Sequence, residues 1–135
     1  MVIILQLNVT TDYGIRTVLY LSIKGGVVSS KEMCEKMGIP HTYMHKITKA
    51  LKDAKIISEK RGTTGGFILE KDPETLSILN IITAFEKTMY INRCLEEDKY
   101  CSRNAVAFCK IREFYTKLQE EMNNKLDIKI STFLK

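Results

Sequence analysis

"SSKEMCEKMGIPHTYMHKITKALKDAKIISEKRGTTGGFILEK", residues Ser29–Lys71, carries two helix patterns and a hairpin in succession. Ser29 and Glu32 have the spacing of a capping box, and Gly38 is a natural helix stop. Pro40 suits the first turn of a second helix, in which Met44, Ile47 and Leu51 recur at helical spacing. Those three belong to the core, which turns His41, Thr42, His45, Lys46 and Lys49 outward. "IISEKRGTTGGFILEK" then reads as strand, glycine-rich turn, strand. Two helices, a tight turn and a basic-tipped hairpin predict a winged helix-turn-helix. An ordinary helix pair with a plain hairpin is the alternative.

Charge weighs between these readings. Seven lysines and arginines face three carboxylates between His41 and Lys71, a net +4 out of +5 for the whole chain. A local basic patch suits double-stranded DNA, although a solvated helix face can look similar. On the DNA reading, Thr42, His45 and Lys46 stand near the start of the recognition helix, where side chains reach base edges. Tyr43 assists there unless its ring packs inward. Lys49 meets phosphate, and Lys60 and Arg61 occupy the wing tip.

Upstream, "TTDYGIRTVLYLSIKGG" reads as a helix capped by Thr11 or Asp12, with Ile15, Val18 and Leu19 on one face and Gly25-Gly26 ending it. Downstream, "DPETLSILNIITAFEK" is amphipathic, with Leu76, Leu79, Ile82 and Phe85 inward. From about Ala105 a long helix carries Ile111, Phe114, Leu118, Met122 and Leu126 at spacings of three and four. Such a helix has few partners within so short a chain. Its stripe of Ile111, Phe114, Leu118 and Met122 is expected against a second copy, with packing inside the chain as the alternative. The expected fold is mainly α with a small β-hairpin wing. Residues 1–88 form the winged helix-turn-helix, 89–110 a cysteine loop, and 105–135 the dimerisation helix and C-terminal tail.

Three of the four cysteines lie within "CLEEDKYCSRNAVAFC", Cys94–Cys109. The opening "MVIIL" is too short for a secretory leader, and no run approaches the roughly 20 apolar residues of a membrane span. A cytoplasmic location without a membrane partner is therefore expected, with the thiols reduced. Iron–sulfur ligation, thiol redox chemistry, zinc and incidental free cysteines are the readings open to them. Zinc lacks its usual C-x-x-C pair. Incidental cysteine prefers apolar surroundings, whereas Glu96, Glu97, Asp98 and Lys99 make this loop polar. Cys34, within a helix, reads as core packing. An enzyme is not expected: the two histidines, His41 and His45, both sit on the recognition helix, and no phosphate loop or nucleophile motif is present.

The stretches "TDYGIRTVLYLS", "VSSKEMCEKMGIPHTYMHKITKALKDAKII" and "RGTTGGFILEKDPETLSILNII" resemble the Rrf-two family of bacterial winged-helix transcriptional regulators. Its most specific piece is the wing of Arg61, Gly62, Gly65, Gly66 and Phe67. The resemblance implies a homodimer gripping a palindromic operator, with the long helix joining the subunits. In the cluster-binding branch three cysteines precede that helix, and Cys94, Cys101 and Cys109 hold that place. The implied cofactor is an iron–sulfur cluster, 2Fe-2S or 4Fe-4S, that senses redox, nitric oxide or iron status. The spacings of six and seven intervening residues are longer than the family pattern. Where one branch has a histidine ligand, this chain has Arg112. Another branch takes an acidic ligand from the partner's first helix, a place matched by Asp12. A clusterless branch works through thiol oxidation or a partner protein, and an iron–sulfur carrier without DNA binding is a third possibility.

Overall fold

In the computed structural model, residues 6–134 are described; the apolar opening lies outside them. Five helices and one antiparallel hairpin follow in order: α1 (Val9–Lys24), α2 (Ser30–Met37), α3 (His41–Asp53), β1 (Ile57–Lys60), β2 (Gly66–Leu69), α4 (Ile78–Phe85) and α5 (Lys110–Leu126). The chain is a winged helix carrying one long helix.

The α1 start differs from the sequence expectation. Asn8 is the cap, its side chain accepting from the Thr10 N–H at 2.9 Å. Thr11 is instead fully buried inside the helix, and its hydroxyl donates to Glu86 at the end of α4. The Asn8 N–H donates to the same carboxylate oxygen. A tertiary contact thus fixes this boundary. Val18 and Leu21 enter the core, while Ile15 and Leu19 are half-buried.

At α2, the Ser29 hydroxyl accepts from the Glu32 N–H at 3.1 Å, which is half a capping box. The Glu32 carboxylate does not return to Ser29. It accepts from Lys24 Nζ and the Tyr20 hydroxyl and so pins α2 to α1. Pro40 is the residue before α3 rather than its first turn. Met44, Ile47 and Leu51 are buried, and Cys34 packs beside them in the core. Burial of a side chain such as Ile47 or Leu51 contributes about 1.5–3 kcal/mol. Helices of eight residues such as α2 and α4 are marginal alone, so this packing holds them in place.

The wing pairs Ile57 with Leu69 through Lys60 with Gly66. Val28, ahead of α2, adds a bridge to Phe67, with N–H to carbonyl distances of 2.9 and 2.8 Å. A Cβ at Gly66 would lie 2.3 Å from the Val28 carbonyl oxygen, so only glycine permits this approach.

The fourth helix starts later than its periodicity suggests. Residues Asp72–Leu76 form a turn, and Ser77 and Asn80 make a reciprocal capping box around the start of α4. Leu76, Ile81 and Ile82 are buried; Leu79 and Phe85 are half-buried. The last helix begins at Lys110, not Ala105, with Cys109 as its cap. Beyond α5 the chain returns to the winged helix. Lys129 bridges Ser77, the Ile130 N–H donates to the Leu76 carbonyl at 2.8 Å, and Ile130 is fully buried.

Candidate nucleic-acid interface and cysteine cavity

Helix α3 presents His41, Thr42, His45, Lys46 and Lys49 to solvent. They share the face opposite Met44, Ile47 and Leu51, as a period of 3.6 requires. Tyr43 is half-buried, its ring packed edge-on against Tyr13 at 5.2 Å. That packing directs the ring towards α1 and makes Tyr43 a brace for the helix. Lys49 pairs with Asp53 at 2.9 Å, and Lys52 with Glu59 at 2.9 Å. The bond from Lys52 holds the Glu59 carboxyl below the usual carboxylate range. Lys46, Lys60 and Arg61 enter no ion pair among the described residues and leave the helix face and wing tip positive.

The turn between α2 and α3 is anchored from α1. Arg16 donates from Nη1 to the Met37 carbonyl at 3.1 Å, at the end of α2. Its Nη2 pairs with Asp12 at 2.8 Å, and its guanidinium lies 5.2 Å from the centre of the Tyr13 ring. Asp12 is therefore half-exposed and already engaged by its own chain.

The segment from Arg93 to Cys109 forms a compact loop. Cys94 lies on a 3-10 turn, Arg93–Leu95, and is buried. Arg93 forms an ion pair with Asp98, which holds that carboxyl below its ordinary pKa, and stacks over Tyr100. Cys94, Cys101 and Cys109 all line one cavity of about 410 Å³. The sulfurs of Cys94 and Cys109 have N–H donors in place. Asn92 Nδ2 donates to Cys94 Sγ at 3.3 Å, and the Arg112 backbone N–H to Cys109 Sγ at 3.4 Å. The backbone N–H groups of Ala105, then Arg103 and Asn104, lower the pKa of the Cys101 thiol. Cys34 differs: burial pushes its pKa up, which suits an inert core thiol.

These donors suit a polynuclear anionic group. Iron–sulfur clusters are held by thiolates and tuned by hydrogen bonds to their sulfurs. Among the described residues no three Cys, His, Asp or Glu side chains converge into a metal-holding group, so the cysteines share a cavity without being preset as ligands. Asp12 does not line the cavity of its own chain. A wider cleft of about 880 Å³ adjoins it between α4 and α5; of its four carboxylates, Glu86, Glu96 and Asp98 are committed to Thr11, Thr88 and Arg93, leaving Glu97.

The α5 helix inverts the usual distribution. Its buried residue is Gln119, whereas Ile111 and Phe114 are 57% and 59% exposed. Leu118 and Met122 are half-buried. Gln119 accepts from the Ile91 N–H at 2.9 Å and donates to the Met89 carbonyl at 3.0 Å, tying the approach to the cysteine loop onto α5. Apolar periodicity cannot reveal such a residue, and a polar side chain within the stripe was its only trace in the sequence. No described helix is long and apolar enough to cross a membrane.

A family profile described as an iron-dependent transcriptional regulator, Rrf2, matches residues 7–132. Protein rrf2 of Nitratidesulfovibrio vulgaris is 28% identical over 125 residues, covering 91% of this chain and 82% of that one. The fold is similar to the IscR structure of T. potens (TM-score 0.75, 21% identity, 96% of this chain and 85% of that one). It is also similar to CymR, the global cysteine regulator of B. subtilis (TM-score 0.77, 18% identity, 96% and 95%). With its winged helix, its wing motif and a match spanning almost its whole length, the chain belongs to the Rrf2 family of DNA-binding transcriptional regulators.

Proposed function

We propose that this chain is a cytoplasmic homodimeric regulator that reads redox, nitric oxide or iron status through an iron–sulfur cluster held by Cys94, Cys101 and Cys109. The observation that carries this reading is the one cavity lined by all three cysteines, with N–H donors on the sulfurs of Cys94 and Cys109. Asp12 of the partner subunit is the proposed fourth ligand.

Dimerisation is supported by the exposed Ile111 and Phe114 on a helix whose buried residue is a glutamine. Exposed apolar stripes of this kind mark interaction surfaces. A two-fold pair would present two α3 helices to a palindromic operator, with half-sites about one helical turn apart. Thr42, His45 and Lys46 read bases in the major groove. Lys49, released from Asp53, meets phosphate, and Lys60 and Arg61 follow the backbone or the adjoining minor groove.

Cys94, Cys101 and Cys109 would hold the cluster, which would supply iron reactive towards oxygen or nitric oxide. The chain's part is mechanical. Ligation at three positions removes freedom that the segment from Cys94 to Cys109 otherwise keeps. Cys94 sits against α5 and Cys109 caps it, so both report on the placement of that helix. Operator affinity then changes only by the difference in ligation free energy between DNA-competent and other states.

Anaerobic purification with an absorption spectrum and iron and sulfide analysis tests the proposal. A brown protein that turns colourless in each single Cys→Ala variant at 94, 101 and 109, but not in Cys34→Ala, supports it. A colourless, iron-free wild type after reconstitution removes the cluster. The second reading, thiol or partner-protein control without a cluster, is favoured by the lack of a tight chelating group among the described residues. It would then take over. Sedimentation of the protein as a monomer at micromolar concentration, with binding to DNA as a monomer, removes the dimer.

A further inference from the structure

The cavity wall carries three cysteines and three arginines, Arg93, Arg103 and Arg112, and no carboxylate. Arg93 is neutralised by Asp98. Arg103 and Arg112 form no ion pair among the described residues. Arg112 holds a particular place in this group. Its backbone N–H meets the Cys109 sulfur, and its Nε donates to the Cys94 carbonyl at 3.3 Å. One residue therefore touches the first and third cysteines while its side chain helps wall the cavity that Cys101 shares.

Arg112 cannot serve as a metal ligand, because a guanidinium stays protonated and has no free lone pair. Its chemistry is that of a fixed cation with five N–H donors, of which the Nε–H is used here. We propose that Arg112 is a positioning and charge-compensating residue for the anionic group bound by Cys94, Cys101 and Cys109. The Nε bond fastens the Cys94 turn onto the first turn of α5. With Arg93 paired to Asp98, Arg112 and Arg103 are the lining cations without an ion pair among the described residues, and their charge would offset that of bound thiolates and sulfides. This rests on the proposed cluster reading for its charge component. The fastening component stands on the protein itself.

The two components separate in Arg112→Met and Arg112→Lys. The lysine keeps the charge but cannot reproduce the Nε geometry. In reconstituted protein, Arg112→Met is expected to hold a cluster of unchanged absorption but lower reduction potential, since adding an electron near a less positive wall is harder. It should lose iron to a chelator several-fold faster. Arg112→Lys should recover the potential and not the lifetime. In metal-free protein, hydrogen exchange at the amides of Leu95 and Glu96 should quicken several-fold in both variants, with circular dichroism unchanged. Unaltered potential and iron loss in Arg112→Met would overturn the charge role. Unaltered exchange at Leu95 and Glu96 would overturn the fastening role. An iron-free wild type defeats the cluster reading and, with it, the charge role, while the exchange measurement still decides the fastening.

Discussion

The Asp12 carboxylate lies 2.8 Å from the Arg16 guanidinium, one turn away along α1. The same guanidinium donates to the Met37 carbonyl beside the helix-turn-helix turn. The pair uses Oδ2 alone, so a ligand role for Asp12 would either engage Oδ1 with the ion pair kept or displace Arg16.

Exposed i,i+4 pairs are worth about 0–1 kcal/mol, so the exchange is cheap. Asp12→Ala is expected to cost the fold less than about 1 kcal/mol in urea unfolding yet leave any cluster labile to chelators. Arg16→Ala also removes the bond to Met37 and should cost about 1 kcal/mol more and weaken operator binding. A cluster as durable in Asp12→Ala as in the wild type would exclude Asp12 from ligation.

Base reading by α3 is tested with matched DNAs. His45→Ala or Lys46→Ala should cost about 1–3 kcal/mol on the operator and little on random sequence. Arg61→Ala should hurt most where the flanks are A·T-rich and the minor groove narrow. Equal losses on all DNAs would make these residues electrostatic contacts only.

Gly66→Ala would place a methyl against the Val28 carbonyl oxygen, a backbone atom with no rotamer to retreat into. Overpacking of this kind typically costs about 1–3 kcal/mol. The expected outcome is a lowered urea midpoint together with weaker DNA binding, because the Val28–Phe67 bridge orients the wing. Retention of both would mean that the wing stem tolerates displacement.

The Glu32 carboxyl is held below the usual carboxylate range, first by the hydrogen bond from Lys24 and then by that from Tyr20. A depressed folded-state pKa gives stability that is present above the unfolded value of about 4.3 and is lost as pH falls through the folded value. Glu32→Gln should therefore be less stable than wild type at neutral pH, with the gap closing on acidification below about pH 4. Urea midpoints across that range provide the check, and a gap independent of pH would assign the effect to packing.

Local rules made the winged-helix half of the fold legible. Ser29, Gly38 and the Met44–Ile47–Leu51 repeat each act within a few residues, and the structure puts helices where they point. Boundaries fixed by distant contacts were not legible. Thr11 has the chemistry of a cap but is claimed by Glu86, so the helix begins earlier at Asn8. Asn80 closes a capping box that a Glu or Gln pattern overlooks. Cys109 takes a cap position that composition would assign to Ser or Asp. The grouping of Cys94, Cys101 and Cys109 was visible as three thiols in one polar segment, although folding buries Cys94. Its shared cavity and its arginine wall arise from folding Arg93–Cys109 back onto α5, which no spacing announces.

The return of Ile130 to the core changes what α5 is mechanically. The helix is joined to the winged helix through the cysteine loop at its front and through Lys129 and Ile130 at its back. A rod clamped at one end swings; a rod supported at both ends can chiefly roll about its own axis or bow. A displacement imposed at Cys109 would then be carried towards α4 as rotation along about 25 Å of helix more readily than as an open hinge. The short stretch after α5 is the rear bearing of that shaft.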